Sequence, residues 1–170
     1  MENFNVYPVL EQEIKSTWQV ISDKRILSIW NEVVEEAIKH DFLKPGSIPQ
    51  LMSTNRLKHA AAFCSRHGAV DGIRSCVVLS DALFLLDDDF IRDTMCHEMG
   101  HAVCPVKAGH GLAWYIMAMM IGSKWGYTPS PTLSEEGTLS FVKALATLRA
   151  NKSARKQQNN LEITQKETKQ

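Results

Sequence analysis

A chain of 170 residues with 19 basic and 19 acidic side chains and 44% hydrophobic content reads as one soluble globular domain, long enough to bury a core. Its longest apolar run, Leu112 to Gly122, has eleven residues, too few to span a bilayer, so no membrane partner is expected. The first residues, MENFNVYPVLEQEIK, have neither the basic nor the apolar region of a secretory signal, so a cytoplasmic, not a secreted, protein is expected.

In chain order, Glu11 to Val20 reads as a short helix with Ile14 and Trp18 on one face. Ser22 and Asp23 then open a second helix, whose residues Ile26, Ile29, Trp30, Val33, Val34, Ala37 and Ile38 repeat at three and four and make one face apolar. Lys44, Pro45 and Gly46 make a turn. Short apolar stretches follow at Ile48 to Thr54, Ala60 to Ser65 and Ile73 to Ser80, the last two joined through Arg66 to Gly72 as a hairpin, which predicts a three-stranded antiparallel sheet. Asp87, Asp88 and Asp89 sit where acidic residues favour a helix N-terminus, ahead of Phe90, Ile91, Thr94 and Met95 at helical spacing. A further helix is expected from Gly111 to about Lys124, with Trp114, Met117, Met120 and Ile121 as packing residues. After Pro129, Pro131 and Gly137, Thr138 to Ala150 reads as a last short helix.

Residues 1–128 are thus expected to form an α+β domain of zincin-like type, with N-terminal helices, a small three-stranded sheet, a motif helix and an apolar helix. Residues 129–150 follow as a linker with a short helix. Residues 151–170 read as a disordered tail, because they have few apolar anchors. From Phe141 onward there are seven basic and two acidic residues, so this end is basic.

The chemistry concentrates in HEMGH, residues 97–101. On a helix, His97 and His101 lie four apart and present their imidazoles on one face, able to grip one metal ion, with Glu98 beside it as a base. Pro105 and Gly109 break the helix, and His110, between two glycines, can return as a third ligand. Three protein ligands on Zn2+ leave a fourth position for water, the arrangement of a hydrolytic site. Cys104 ranks below His110 as a ligand, since it would have to bind from the same helix end. Cys64, Cys76, Cys96 and Cys104 form no CxxC pair and read as reduced core thiols. A metzincin would need glycine at 104 and histidine at 107, where the chain has Cys104 and Lys107. A thermolysin-like site would take Glu135 or Glu136 as third ligand, in a Pro/Ser/Gly-rich segment without clear helical pattern. Asp93, one turn before His97, is a candidate to orient that ring or a solvated side chain; Tyr115 and Tyr127 are candidate oxyanion donors or packing residues.

The string from Ile73 to Trp114, with a strand ending Leu79-Ser80, Asp93-Thr94 just ahead of HExxH, and His110-Gly111 followed by Trp114, resembles the SprT-like family of bacterial SprT proteins and Spartan proteases. The resemblance covers roughly residues 25–125 and implies zinc held by His97, His101 and His110, Glu98 as catalytic base, and protein substrates, including proteins attached to DNA. No cysteine follows Cys104, so the four-cysteine ribbon of many bacterial members is missing from this sequence. The expected function is a zinc metalloendopeptidase, placed in the nucleoid or nucleus if it works on DNA. The alternative is a zinc-stabilised module that binds DNA or protein with little turnover.

Overall fold

The computed structural model describes residues 17–57, 60–65, 76–105 and 109–167. Helix α1, Lys24–Lys39, starts where Asp23 turns its carboxylate onto the Arg25 and Ile26 amides at 2.9 and 3.2 Å, satisfying two donors that a helix start leaves unpaired. Its buried face carries Ile26, Ile29, Trp30, Val33, Val34 and Ala37, the stripe that the three-four spacing predicts.

The sheet departs from the three antiparallel strands expected. It has four strands, β1 (Gln19–Val20), β2 (Gln50–Thr54), β3 (Ala62–Ser65) and β4 (Cys76–Ser80), in the order β1-β2-β4-β3. The β3–β4 pair is antiparallel as the hairpin reading requires, but β2 and β4 are parallel, with Leu51 opposite Val77 and Ser53 opposite Leu79. The reason lies in β4. All five of its residues are buried, so it is a central strand covered on both faces, and the chain crosses from β2 to the far edge before returning between them. Gln19 and Val20, expected at the end of a helix, instead pair antiparallel with Ser53 and Met52. Residues 11–16 of that helix and the 66–72 hairpin tip lie outside the described residues.

Helix α2, Asp88–Val103, carries HEMGH and packs on α1, on β3 and on helix α3, Leu112–Gly122. Asp87 caps it by accepting from the Phe90 amide at 2.8 Å, and Asp88 and Asp89 lie in its first turn. Ile91, Met95, Met99 and Ala102 are fully buried in the core with α1 and the sheet. A 3-10 turn, Ser123–Trp125, ends α3.

Helix α4, Glu135–Glu167, corrects the disordered tail. Ser134 accepts from the Gly137 amide at 3.0 Å to start it, and Phe141, Ala144 and Leu145 are buried in the same core as α1 and the sheet. Once those turns are fixed, each added residue costs little, and the following Ala, Lys, Arg and Gln residues are good helix formers, so the helix runs on although residues 151–159 are exposed. Lack of a buried face does not by itself end a helix that is already nucleated. Among the described residues, no helix is long and apolar enough to cross a membrane.

The crossing of α2 and α3 is closest at Gly100. A Cβ there would lie 2.7 Å from the Ala118 Cβ and 3.1 Å from the Trp114 indole nitrogen. In an open helix, Gly to Ala stabilises by about 1 kcal/mol. Here overpacking should outweigh that gain, and Gly100→Ala is expected to lose about 1–3 kcal/mol in urea unfolding. Gly46→Ala, with nothing within 4 Å of the added atom, should be near neutral. Equal stability of Gly100→Ala and wild type would contradict the close crossing.

Candidate metal centre

His97 and His101 lie one turn apart on α2, rotated by about 40° from each other, so both imidazoles leave the same side near the helix end. The helix stops at Val103, and Gly109, with a φ of +50° that side-chain-bearing residues seldom adopt, turns the chain so that His110 faces back. The Nε2 atom of His110 lies 3.0 Å from that of His101 and 3.1 Å from that of His97. Among the described residues, this is the cluster of His, Cys, Asp and Glu side chains that can hold a metal ion.

The donor set fits zinc. Three ligand nitrogens at about 2.0–2.1 Å from a tetrahedral ion are separated by about 3.3 Å, close to the spacing seen. The three nitrogens cannot satisfy one another by hydrogen bonds, because each neutral imidazole has one N–H to give and the acceptors would face each other. A shared cation removes that conflict. Burial, then repulsion from His110, pushes the His97 pKa down to about 4, against a hydrogen bond to the Ser130 backbone that raises it; burial also lowers that of His110. Both rings are therefore neutral near pH 7 and keep a lone pair for a metal.

Trp114 forms the wall behind the cluster. It is 1% exposed, its ring centroid lies 4.8, 5.3 and 4.6 Å from those of His97, His101 and His110, and its indole N–H donates to the His97 carbonyl at 3.2 Å. One side chain thus packs against all three rings. The sequence marks Trp114 as a core residue of an apolar helix and as part of the family resemblance, but not as a wall against all three imidazoles. Its position one turn after His110 is the signal that could have placed it here.

Glu98 follows His97 on α2 and is 6% exposed, a carboxylate set into the protein beside the cluster. Cys104 is buried against Trp114 and Ala118 and is not a member of the metal-binding group. The four cysteines form no disulfide, and burial pushes the Cys96 pKa up to about 12, so it stays protonated. Glu135 and Glu136 sit exposed in the first turn of α4, outside the histidine group. Tyr115 is exposed on α3, whereas Tyr127 packs against the Trp114 cluster, and burial raises its pKa so that it remains a neutral phenol.

The sequence offers Asp93 either as an orienting partner of His97 or as a solvated side chain. Asp93 is exposed on the wall of a neighbouring polar cavity of about 410 Å³, with Arg92, Trp125 and Tyr127. Partial burial, then the charge of Asp89, raises its pKa. His40 stands 3.9 Å from Glu36, remote from the cluster in sequence, and His59 and His67 lie outside the described residues.

The protein should bind a single zinc ion. His110→Ala should lose it at equimolar metal, as read by mass spectrometry of the native protein, while Cys104→Ser should keep it; the opposite pattern would mean that the thiol is the third ligand.

Comparison with protein families places residues 26–134 in a match to the SprT-like family. Comparison with curated proteins and with solved structures finds no match.

Proposed function

The chain belongs to the SprT-like family, whose domains are metallopeptidase-like, and on that premise we propose that it is a zinc-dependent endopeptidase. The observation that carries the reading is the convergence of the His97 and His101 Nε2 atoms within 3.1 Å of that of His110, with a buried glutamate next in sequence to one of them. Three neutral imidazoles would hold the ion; when bound, zinc supplies an electrophile for a peptide carbonyl and acidifies water at its open position.

The remaining work falls to the chain's own groups. The carboxylate of Glu98 takes the proton from the attacking water and returns it to the leaving amide nitrogen, so that one group serves both steps. Its burial keeps bulk water from competing for that proton, and a purely structural site would need no carboxylate there. Exposure of His110 leaves the cluster reachable by a polypeptide from that side.

Protein substrates held on DNA follow from the family likeness, and α4 adds an electrostatic reason. Between Glu136 and Glu162 it has no acidic residue, while Lys143, Arg149, Lys152, Arg155 and Lys156 lie along it, the last three in its exposed stretch. This reading places the protein in the nucleoid or nucleus, or in the cytoplasm if DNA has no part.

Glu98→Gln is the direct test. Zinc content should stay at the wild-type level while cleavage of casein or histones, measured with and without DNA, falls by at least about a hundredfold. Cleavage at the wild-type rate would remove Glu98 as the base. A wild type that holds zinc but turns over neither substrate, with or without DNA, would instead favour a binding module.

A further inference from the structure

We propose that Trp114 is a positioning residue of the metal centre: it confines the three imidazoles from behind, and Gly100, inside HEMGH, is the seat that lets it do so. The inference rests on reading His97, His101 and His110 as a metal site.

A histidine side chain turns about two bonds, and ligand nitrogens brought to one place set their lone pairs against each other. Unless the fold confines such rings, a metal has to order each of them as it binds, and that ordering is subtracted from its affinity. Helix α2 fixes the backbone of His97 and His101 but not their ring planes, and His110 follows the turn at Gly109, two residues ahead of α3. The confinement therefore has to come from a side chain on the far side of the rings.

Trp114 meets the three rings in three ways. Its indole is stacked on His101, with 25° between the planes, and stands edge-on to His97 and His110 at 65° and 81°. One flat ring can serve three partners because its own orientation is locked. The indole N–H donates to the His97 carbonyl at 3.2 Å, the carbonyl that an α-helix directs at the amide of His101. This bond ties Trp114 to the turn that carries both helical histidines. Rotating an indole that is 1% exposed would break the bond and leave a buried N–H without an acceptor.

The seat of the indole is made by small residues. A Cβ at position 100 would lie 3.1 Å from the indole nitrogen, 3.2 Å from its Cδ1 and 2.7 Å from the Ala118 Cβ. Cys104 and Ala118 pack with Trp114 in one buried group. The HExxH pattern leaves the residue before its second histidine open. In this chain that residue, Gly100, gives the ring behind the histidines its place, although it offers no ligand atom itself.

Three variants disturb this arrangement in the full chain. Trp114→Phe removes the N–H and narrows the wall, Trp114→Leu removes the wall, and Gly100→Ala pushes on the indole. Ile91→Val is the control for lost stability alone, since Ile91 is fully buried on the same helix but belongs to the main core rather than to the Trp114 group. Zinc affinity is measured by competition with a chelator, and the visible absorption of the cobalt-loaded chain reports the geometry around the metal. Circular dichroism checks that each variant is folded. Trp114→Phe and Gly100→Ala should bind zinc about 10-fold more weakly than wild type and Trp114→Leu about 100-fold, all three with altered cobalt bands, while Ile91→Val should change neither readout. A folded Trp114→Leu with wild-type zinc affinity and cobalt spectrum overturns the proposal. So does an Ile91→Val that loses as much zinc affinity as Trp114→Phe, a comparison that decides by itself if Trp114→Leu does not fold. A wild type that binds neither zinc nor cobalt overturns the metal-site reading and this inference with it, before any variant is made.

Discussion

The contact on which the rest depends is the crossing of α2 and α3, where Gly100 meets Ala118 and Trp114. Gly100 is the fourth residue of HEMGH, between the two helical histidines, and its missing side chain lets the next helix come close. Trp114 fills the space so made. Its indole meets three imidazoles, and its N–H answers the His97 carbonyl, so the packing that closes the core also sets the rings. A helix pair held farther apart would leave His110, only two residues before α3 begins, away from the other two histidines.

Electrostatics and packing act in the same direction around this crossing. Burial of a basic imidazole disfavours its charged form, which is unwelcome for a solvated surface histidine but is the state that a metal ligand needs. Trp114 supplies part of that burial. Glu98 is likewise buried, next in sequence to His97. A cation shared by the three imidazoles would remove the conflict among the crowded nitrogens.

What was legible in the sequence follows the range of the interaction. The three-four spacing of Ile26 to Ala37 and the acidic start of α2 are local patterns, and both helices lie where those patterns put them. His97 and His101 share a face because of helix geometry alone, and the return of His110 needed only the breakers Pro105 and Gly109. Pairing of β2 with β4 was not legible, because both partners are short apolar strands and nothing local distinguishes parallel from antiparallel neighbours. The polar composition beyond Asn151 predicts loss of structure, but helix propensity remains high there and the helix is already nucleated upstream.

The most direct measurement of the central claim is the zinc K-edge X-ray absorption spectrum of the metal-loaded protein. A three-imidazole site with an open position predicts four light scatterers at about 2.0–2.1 Å, three of them with the multiple-scattering pattern of imidazole rings and the fourth an oxygen. A sulfur scatterer near about 2.3 Å, as Cys104 would give, or a shell with fewer than three imidazoles, would contradict it.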